Sequence, residues 1–340
     1  MAASSLRPIG TSRWRLCIAL CAVLLLASGC LTVNIGDGGR DAFEESVVFG
    51  QGGPKVLMLE VEGVISEHER PGFFGPGSES TVARIIEQLD RARAEGDIEA
   101  LLLRIDTPGG SASASDDVYR AIEAFKAEAG IPVVAQLMGI ATSGGYYVAM
   151  SADEVRAAPT TVTGSIGVLF MGLSLEGLME RWGVRDQTVT GGVHKDAGSF
   201  LRDMTPEEEA IMQSVVDDLH DRFKAVVQAG RPDLDMAAID RLADGRVYSA
   251  PQAVEAGLVD AIASLEETAE HAAGLAGIEG SFRVVTYHRP TEYRNNLHTR
   301  ADVPAPEASG APDWAVLAEK LGLAGLDRAG FHYLWLPAAR

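Results

Sequence analysis

Short runs that are almost wholly apolar alternate along the chain with longer stretches in which apolar residues recur every three or four positions. Val56 to Val61 is β-rich and ends at Gly63, and Ala100 to Ile105 reads ALLLRI. Runs this short and this apolar predict strands buried on both faces, as in a parallel sheet. Between them, Ser80 to Ala94 carries Val82, Ile85, Ile86 and Leu89 at helical spacing. Asp117 to Glu128 predicts the next helix, Val133 to Met138 the next strand, and Gly144 to Ala152 a short helix. Val155 to Ala158 and Ile166 to Phe170 predict short strands. Thr205-Pro206-Glu207-Glu208 spells a capping box with proline at the first helical position, opening a long helix to about Ala229. Strand and helix in alternation predict an α/β fold with a mostly parallel sheet.

Both ends depart from this pattern. Arg7, Arg13 and Arg15 precede an apolar run from Leu16 to Ala27, followed by Ser28, Gly29 and Cys30. A basic start, a short apolar core and small residues make a secretory leader, shorter than the roughly 20 apolar residues of a membrane span. Leu26-Ala27-Ser28-Gly29-Cys30 looks like a bacterial lipobox, with cleavage after Gly29 and lipid on Cys30. Ala27 and Gly29 also suit ordinary signal peptidase, and an uncleaved anchor reaching Val33 is a third option. All three put the body outside the cytoplasm. Residues 30–54 are glycine-rich and acidic, the composition of a flexible tether. Past Tyr287 the text becomes polar and proline-rich: residues 299–312 predict a linker and Trp314 to Leu323 a last helix. Phe331 to Pro337 is apolar and aromatic, and so predicted to dock on the body, with ordinary packing as the default.

Composition narrows the function. The formal net charge of −19, with no basic stripe, excludes nucleic acid as a partner. The three cysteines, Cys17, Cys21 and Cys30, all fall near the N-terminus. That excludes a disulfide framework, a thiolate metal site and a cysteine nucleophile in the body. The seven histidines include no zinc-type pattern.

Four segments carry candidate chemistry. Asp106-Thr107-Pro108-Gly109-Gly110 follows a buried strand, where paired glycines let N–H groups approach a ligand and form an oxyanion hole. Taken alone, the segment reads first as a plain strand-to-helix turn. Ala141-Thr142-Ser143-Gly144-Gly145 sets a serine between strand and helix, its Oγ at a helix N-terminus beside the Gly144 N–H. A simple N-cap is the competing explanation. In Thr163-Gly164-Ser165-Ile166-Gly167, a tight turn accounts for the glycines. Gly191-Gly192-Val193-His194-Lys195-Asp196 holds a lysine in a glycine-rich loop, a setting usually solvated. If Ser143 is a nucleophile it needs a base. A lysine can serve if its pKa falls from about 10.4 towards 7–8, which requires desolvation in a closed pocket.

In this order and spacing the four segments resemble the signal peptide peptidase SppA (protease IV) family of serine peptidases. The resemblance covers about residues 55–287 and takes in Met204 to Glu208, Asp244 to Tyr248 and Ala253 to Asp260. It implies a ClpP/crotonase-like spiral of β-β-α units. It implies Ser143 as nucleophile, Lys195 as general base, Ser165 orienting the lysine, and Gly110 and Gly144 as oxyanion-hole donors. No metal or other cofactor is implied. The expected substrates are remnant signal peptides and other unstructured peptides. One copy of the domain implies a homo-oligomer in which neighbouring copies can complete one site. The expected organisation is a leader at 1–29, a tether at 30–54, a catalytic domain at 55–287 and an extension at 288–340. The expected location is the bacterial cell envelope, with a lipid anchor and the body on the periplasmic side. Two other functions fit such a fold: a crotonase-like acyl-CoA enzyme, disfavoured by the export signal, and a non-enzymatic peptide-binding scaffold, which needs neither Ser143 nor Lys195. A ClpP-type protease would need a Ser-His-Asp triad and a cytoplasmic ATPase partner.

Overall fold

The computed structural model describes residues 42–68, 79–292, 294–299 and 331–335. The leader with Cys30, the 299–312 linker beyond its first residue, and the helix expected at Trp314 to Leu323 lie outside the described residues.

The apolar runs become the centre of one sheet. β1 (Glu44–Gly50), β2 (Lys55–Ile65), α1 (Thr81–Glu95), β3 (Ile98–Ser111), α2 (Ala112–Ala129) and β4 (Val133–Thr142) come first. α3 (Gly144–Ala149), β5 (Glu154–Ala157), β6 (Val162–Gly164), β7 (Leu169–Phe170), α4 (Glu176–Trp182) and α5 (Pro206–Gly230) follow. α6 (Met236–Leu242), β8 (Val247–Ser249), α7 (Ala250–Glu255), β9 (Ala261–Ile262), α8 (Leu265–Leu275), β10 (Arg283–His288) and β11 (Phe331–Leu334) complete the described chain.

The strand order is β1-β10-β2-β3-β4-β5-β9, with every neighbouring pair from β10 to β9 parallel and β1 antiparallel at the edge. Alternate residues of β3 serve the two faces. Leu101, Leu103 and Ile105 join the core under α1, α2 and α3, while Ala100 and Leu102 join a second core closed by Leu265, Ala269 and Ala272 of α8. Burial on both faces is why the strand reads as an unbroken apolar run, each large side chain contributing about 1.5–3 kcal/mol. Serine N-caps fix both flanking helices, Ser80 accepting from Ala83 N and Ser111 from Ala114 N.

The structure differs from the sequence expectations where pairing, rather than side-chain character, sets the conformation. Glu44–Gly50, inside the expected tether, is a strand because its backbone pairs with β10 from Glu44↔His288 to Gly50↔Arg283. β3 does not stop at Ile105 but runs through the polar text to Ser111. There its backbone is engaged on both sides, by Val64 and Ile65 of β2 and by β11. α2 therefore starts at Ala112, earlier than the expected Asp117, and α3 ends at Ala149. Of the strand expected at Ile166 to Phe170, only Leu169–Phe170 is extended and paired.

β4 changes partners along its length, and this positions the site. Val134 to Leu137 pair with β5, whereas Ile140 to Thr142 pair with β6, which pairs in turn with β8.

Candidate active site

The fork in β4 sets two serines side by side. Thr142 pairs with Gly164, so the next residues, Ser143 and Ser165, leave two neighbouring parallel strands at the same level. The Ser143 N–H donates to the Gly164 carbonyl at 2.7 Å, and the Ser165 N–H donates to the Arg246 carbonyl at 2.7 Å. Both hold a positive φ, 52° at Ser143 and 51° at Ser165, and they are the two non-glycine residues to do so among the described residues. Left-handed backbone in a side-chain-bearing residue costs about 1–3 kcal/mol and persists where the surroundings enforce it. Here two strand registers enforce it.

Ser143 stands at the N-terminus of α3, yet its side chain makes no capping hydrogen bond. The residue is 1% exposed, and its Oγ has no hydrogen-bond partner among the described residues. A buried hydroxyl left unpaired costs about 1–3 kcal/mol, so capping does not explain this serine.

Two glycines close around it. A Cβ on Gly110 would lie 1.9 Å from the Ile65 carbonyl oxygen, so the backbone there admits no side chain. A Cβ on Gly144 would lie 2.4 Å from Ser115 Oγ and 3.2 Å from the Gly110 nitrogen. The two backbones are thus in close contact immediately beside Ser143. Behind them, Tyr147 of α3 donates its hydroxyl to Asp116 at 2.6 Å, and Arg222 of α5 donates to the same carboxylate oxygen at 2.9 Å. Burial pushes the Asp116 carboxyl up, but these two donors outweigh it and hold it below its usual range. The Tyr147 phenol is pushed up, by burial first and then by Asp116.

Ser143, Ser165, Gly110 and Gly144 therefore come together, while Lys195 does not join them within the single chain. It lies exposed in the stretch after α4, without secondary structure beyond turns, and its ammonium is engaged with no group of the described chain. Its neighbours are anchored instead. Asp196 accepts from Arg202 at 2.8 Å, and the same guanidinium grips Glu208, the third helical residue of α5, at 2.6 and 2.8 Å. His194 lies 3.5 Å from Glu207. The capping box of α5 is present as expected from the sequence. What sequence reasoning missed is Arg202, which ties the lysine-bearing loop to that helix end; the run of acids opening α5 was the available signal.

Among the described residues no group of three or more His, Cys, Asp or Glu side chains is placed to hold a metal, and no helix is long and apolar enough to cross a membrane.

Comparison with known proteins supplies the class. Peptidase family S49 matches residues 125–279, and the Clp protease family matches residues 67–163. A putative protease of Synechocystis is 36% identical over 225 residues, covering 66% of this chain and 76% of that protein. A putative signal peptide peptidase SppA of Enterococcus faecium is 34% identical over 230 residues, covering 68% of this chain and 66% of that protein. Among solved structures, a mutant of a membrane-bound stomatin-specific protease aligns over 64% of this chain and 84% of its own, with 16% identity and a TM-score of 0.40. The parallel α/β architecture and the family matches define a serine peptidase with a ClpP-like fold. Within that class the chain belongs to peptidase family S49, the SppA (protease IV) family.

Proposed function

We propose that the chain is a serine endopeptidase that cleaves unstructured peptides, remnant signal peptides among them, with Ser143 as nucleophile and Lys195 of a neighbouring copy as general base. The observation that carries this reading is Ser143 itself: buried, held at φ 52° by two strand registers, its Oγ unpartnered beside Gly110 and Gly144. Neutral Lys195 takes the Oγ proton as Ser143 attacks the substrate carbonyl. The N–H groups of Gly110 and Gly144 stabilise the oxyanion, each such donor being worth about 2.7–4 kcal/mol. The lysine then returns the proton to the leaving amine, and water releases the acyl group. Ser165, beside Ser143, orients the incoming lysine.

Supply of the base by a second copy is supported by the surface around Lys195. Trp182 is 80% exposed, Val189 96% and Val193 85%. Apolar side chains so exposed on one segment mark a contact surface, and docking there would give Lys195 the apolar walls that a neutral lysine requires. The lipobox-like leader supports a membrane tether at Cys30, with the body on the periplasmic side. We assign 55–287 as the catalytic domain and 288–340 as an extension.

The test is hydrolysis of a fluorogenic peptide by the full chain, by Ser143→Ala, by Lys195→Ala and by the two variants mixed. Each variant alone should lose about 10⁴-fold in kcat. The mixture should recover part of the activity, because one kind of mixed site holds both functional residues. Activity surviving Ser143→Ala would refute the nucleophile, and a mixture as dead as its parts would return the lysine to its own subunit. A chain that binds the peptide without cleaving it in any form would make it a scaffold.

A further inference from the structure

The strands that lead to Gly110 and to Ser143-Gly144 both break register at the level of Thr107. Between Glu62↔Asp106 and Val64↔Gly109, β3 carries one residue more than β2. Between Ile105↔Leu137 and Thr107↔Ala141, β4 carries two residues more than β3. Such bulges bend a strand and re-aim the residues that follow. Here those residues are Gly109 and Gly110 on one strand and Ser143 and Gly144 on the other. Thr107 itself is fully buried between them.

Its side chain holds both sides of the break. Thr107 Oγ1 accepts from the Gly109 N–H at 3.0 Å and donates to the carbonyl of Gly63, the residue that β2 leaves unpaired at the bulge. Gly63 is held at φ 64°, so the hydroxyl pins a turn of β2 to the start of the glycine pair. The Cγ2 methyl faces the other way, onto α3. A Cβ on Gly145 would lie 2.6 Å from it, so Thr107 is what requires a glycine there. The two backbones also meet directly, since a Cβ on Gly109 would lie 2.9 Å from the Gly144 nitrogen. One side chain thus contacts the neighbour of each candidate donor, Gly109 by its hydroxyl and Gly145 by its methyl.

We infer that Thr107 is the positioning residue of the oxyanion site. Its hydroxyl fixes the direction of the Gly110 N–H by holding Gly109, and its methyl fixes how closely α3 brings the Gly144 N–H. The inference rests on Gly110 and Gly144 being the oxyanion donors for Ser143. Such donors act only when both lie about 2.7–3.1 Å from the oxygen of the tetrahedral species. A misplacement of about 1 Å costs on the order of a hundredfold in rate. Thr107 acts through the glycines and takes no proton. Its loss is therefore felt when the substrate carbonyl becomes tetrahedral, and not when the peptide binds.

The experiment compares the full chain with Thr107→Val, which keeps the methyl contact and the volume, and with Thr107→Ser, which keeps the hydroxyl. Thr107→Val should lower kcat about a hundredfold with KM changed by less than about twofold. Thr107→Ser should keep most of the activity. A peptide aldehyde, whose adduct with Ser143 is tetrahedral, should bind Thr107→Val more weakly by the factor lost in kcat/KM. The uncleaved peptide, measured on the Ser143→Ala background, should bind equally with and without Thr107→Val. If Thr107→Val does not fold, Gly145→Ala tests the methyl contact. It should lower kcat by collision with Cγ2, and adding Thr107→Ser, which removes Cγ2, should restore part of the loss. An unchanged kcat in Thr107→Val, a loss that appears equally in peptide binding, or no recovery in the double variant overturns the inference and leaves the role of Ser143 standing. Activity that survives Ser143→Ala strikes the nucleophile reading instead.

Discussion

The crest that carries Ser143 is closed in on every side, whereas the segment from Leu173 to Met204 that carries Lys195 is mostly surface. On the crest, α3 is buried throughout, Ser143 is fixed by the registers of β4 with β6, and glycines remain because a methyl group would collide with backbone. In the other segment, α4 buries none of its residues, and what holds the loop is a set of ion pairs around Arg202. On the proposed roles, the fold of one chain pre-organises the nucleophile and the oxyanion donors and leaves the base exposed. The difference locates what an assembly would add: apolar cover and a lysine, not the geometry of the serine.

If that division is right, the largest effect comes from disturbing the crest. Gly110→Ala puts a methyl group 1.9 Å from the Ile65 carbonyl oxygen and forces β3 away from β2 beside Ser143. Activity should fall by about 10²–10³-fold, the scale of losing one oxyanion donor. Because overpacking also strains the strand, melting should come earlier, by an amount equivalent to about 1–3 kcal/mol. A fully active Gly110→Ala enzyme would mean that this backbone is not near the reacting carbonyl.

The lysine-bearing segment should respond differently. Trp182→Ser removes a large exposed apolar side chain that packs on nothing in its own chain to any great extent. The stability of the isolated fold should change by no more than about 0.5 kcal/mol. If the segment docks on a neighbouring copy, sedimentation should show a smaller assembly and activity should fall by about tenfold. Unchanged assembly with unchanged activity would remove the contact surface from the argument. A smaller loss is expected of Arg202→Gln, which frees Asp196 and leaves the loop less ordered. Activity should drop by about three- to fivefold through kcat with the pH profile retained, since Arg202 positions the loop and takes no proton.

How far these two regions could be read from sequence follows the same line. The ALLLRI strand, the capping box at Thr205 and the glycines beside Ser143 are local patterns with local causes, and they fold as written. The extension of β3 through Asp106 to Ser111 was not legible, because a polar stretch becomes strand only when β2 and β11 pair with it. Nor does any local signal say that Thr142 meets Gly164, the register that brings Ser143 and Ser165 together. The tail read only as aromatic and docked. That Tyr333 lies against Tyr147 and Phe223, far away in sequence, is a tertiary fact. Lys195 stood out by family resemblance alone, since a lysine in a glycine-rich loop carries no mark of its role.

The smallest expected effect concerns the ion pairs that hold the lysine loop, and its sign can be worked out. The Glu208 carboxyl is held down to about 2, first by the Arg202 guanidinium and then by the Thr205 N–H, from an ordinary value of 4.5. A folded value below the unfolded one favours the folded form wherever the carboxylate is charged. That contribution is fully present above about pH 4.5 and is lost as pH falls through about 2. Asp196, held below its usual range by Arg202, shifts in the same direction. Glu208→Gln keeps the size and one acceptor of the capping side chain but removes the charge. At neutral pH the substituted chain should therefore exchange amide hydrogens faster at the start of α5 and in the Lys195 loop. As the pH falls towards 2 the two chains should converge, because the unsubstituted chain loses what the variant never had. Exchange that differs by the same factor at every pH would mean that the cap is held by shape and hydrogen bonding alone, and that charge does not hold the lysine-bearing loop in place.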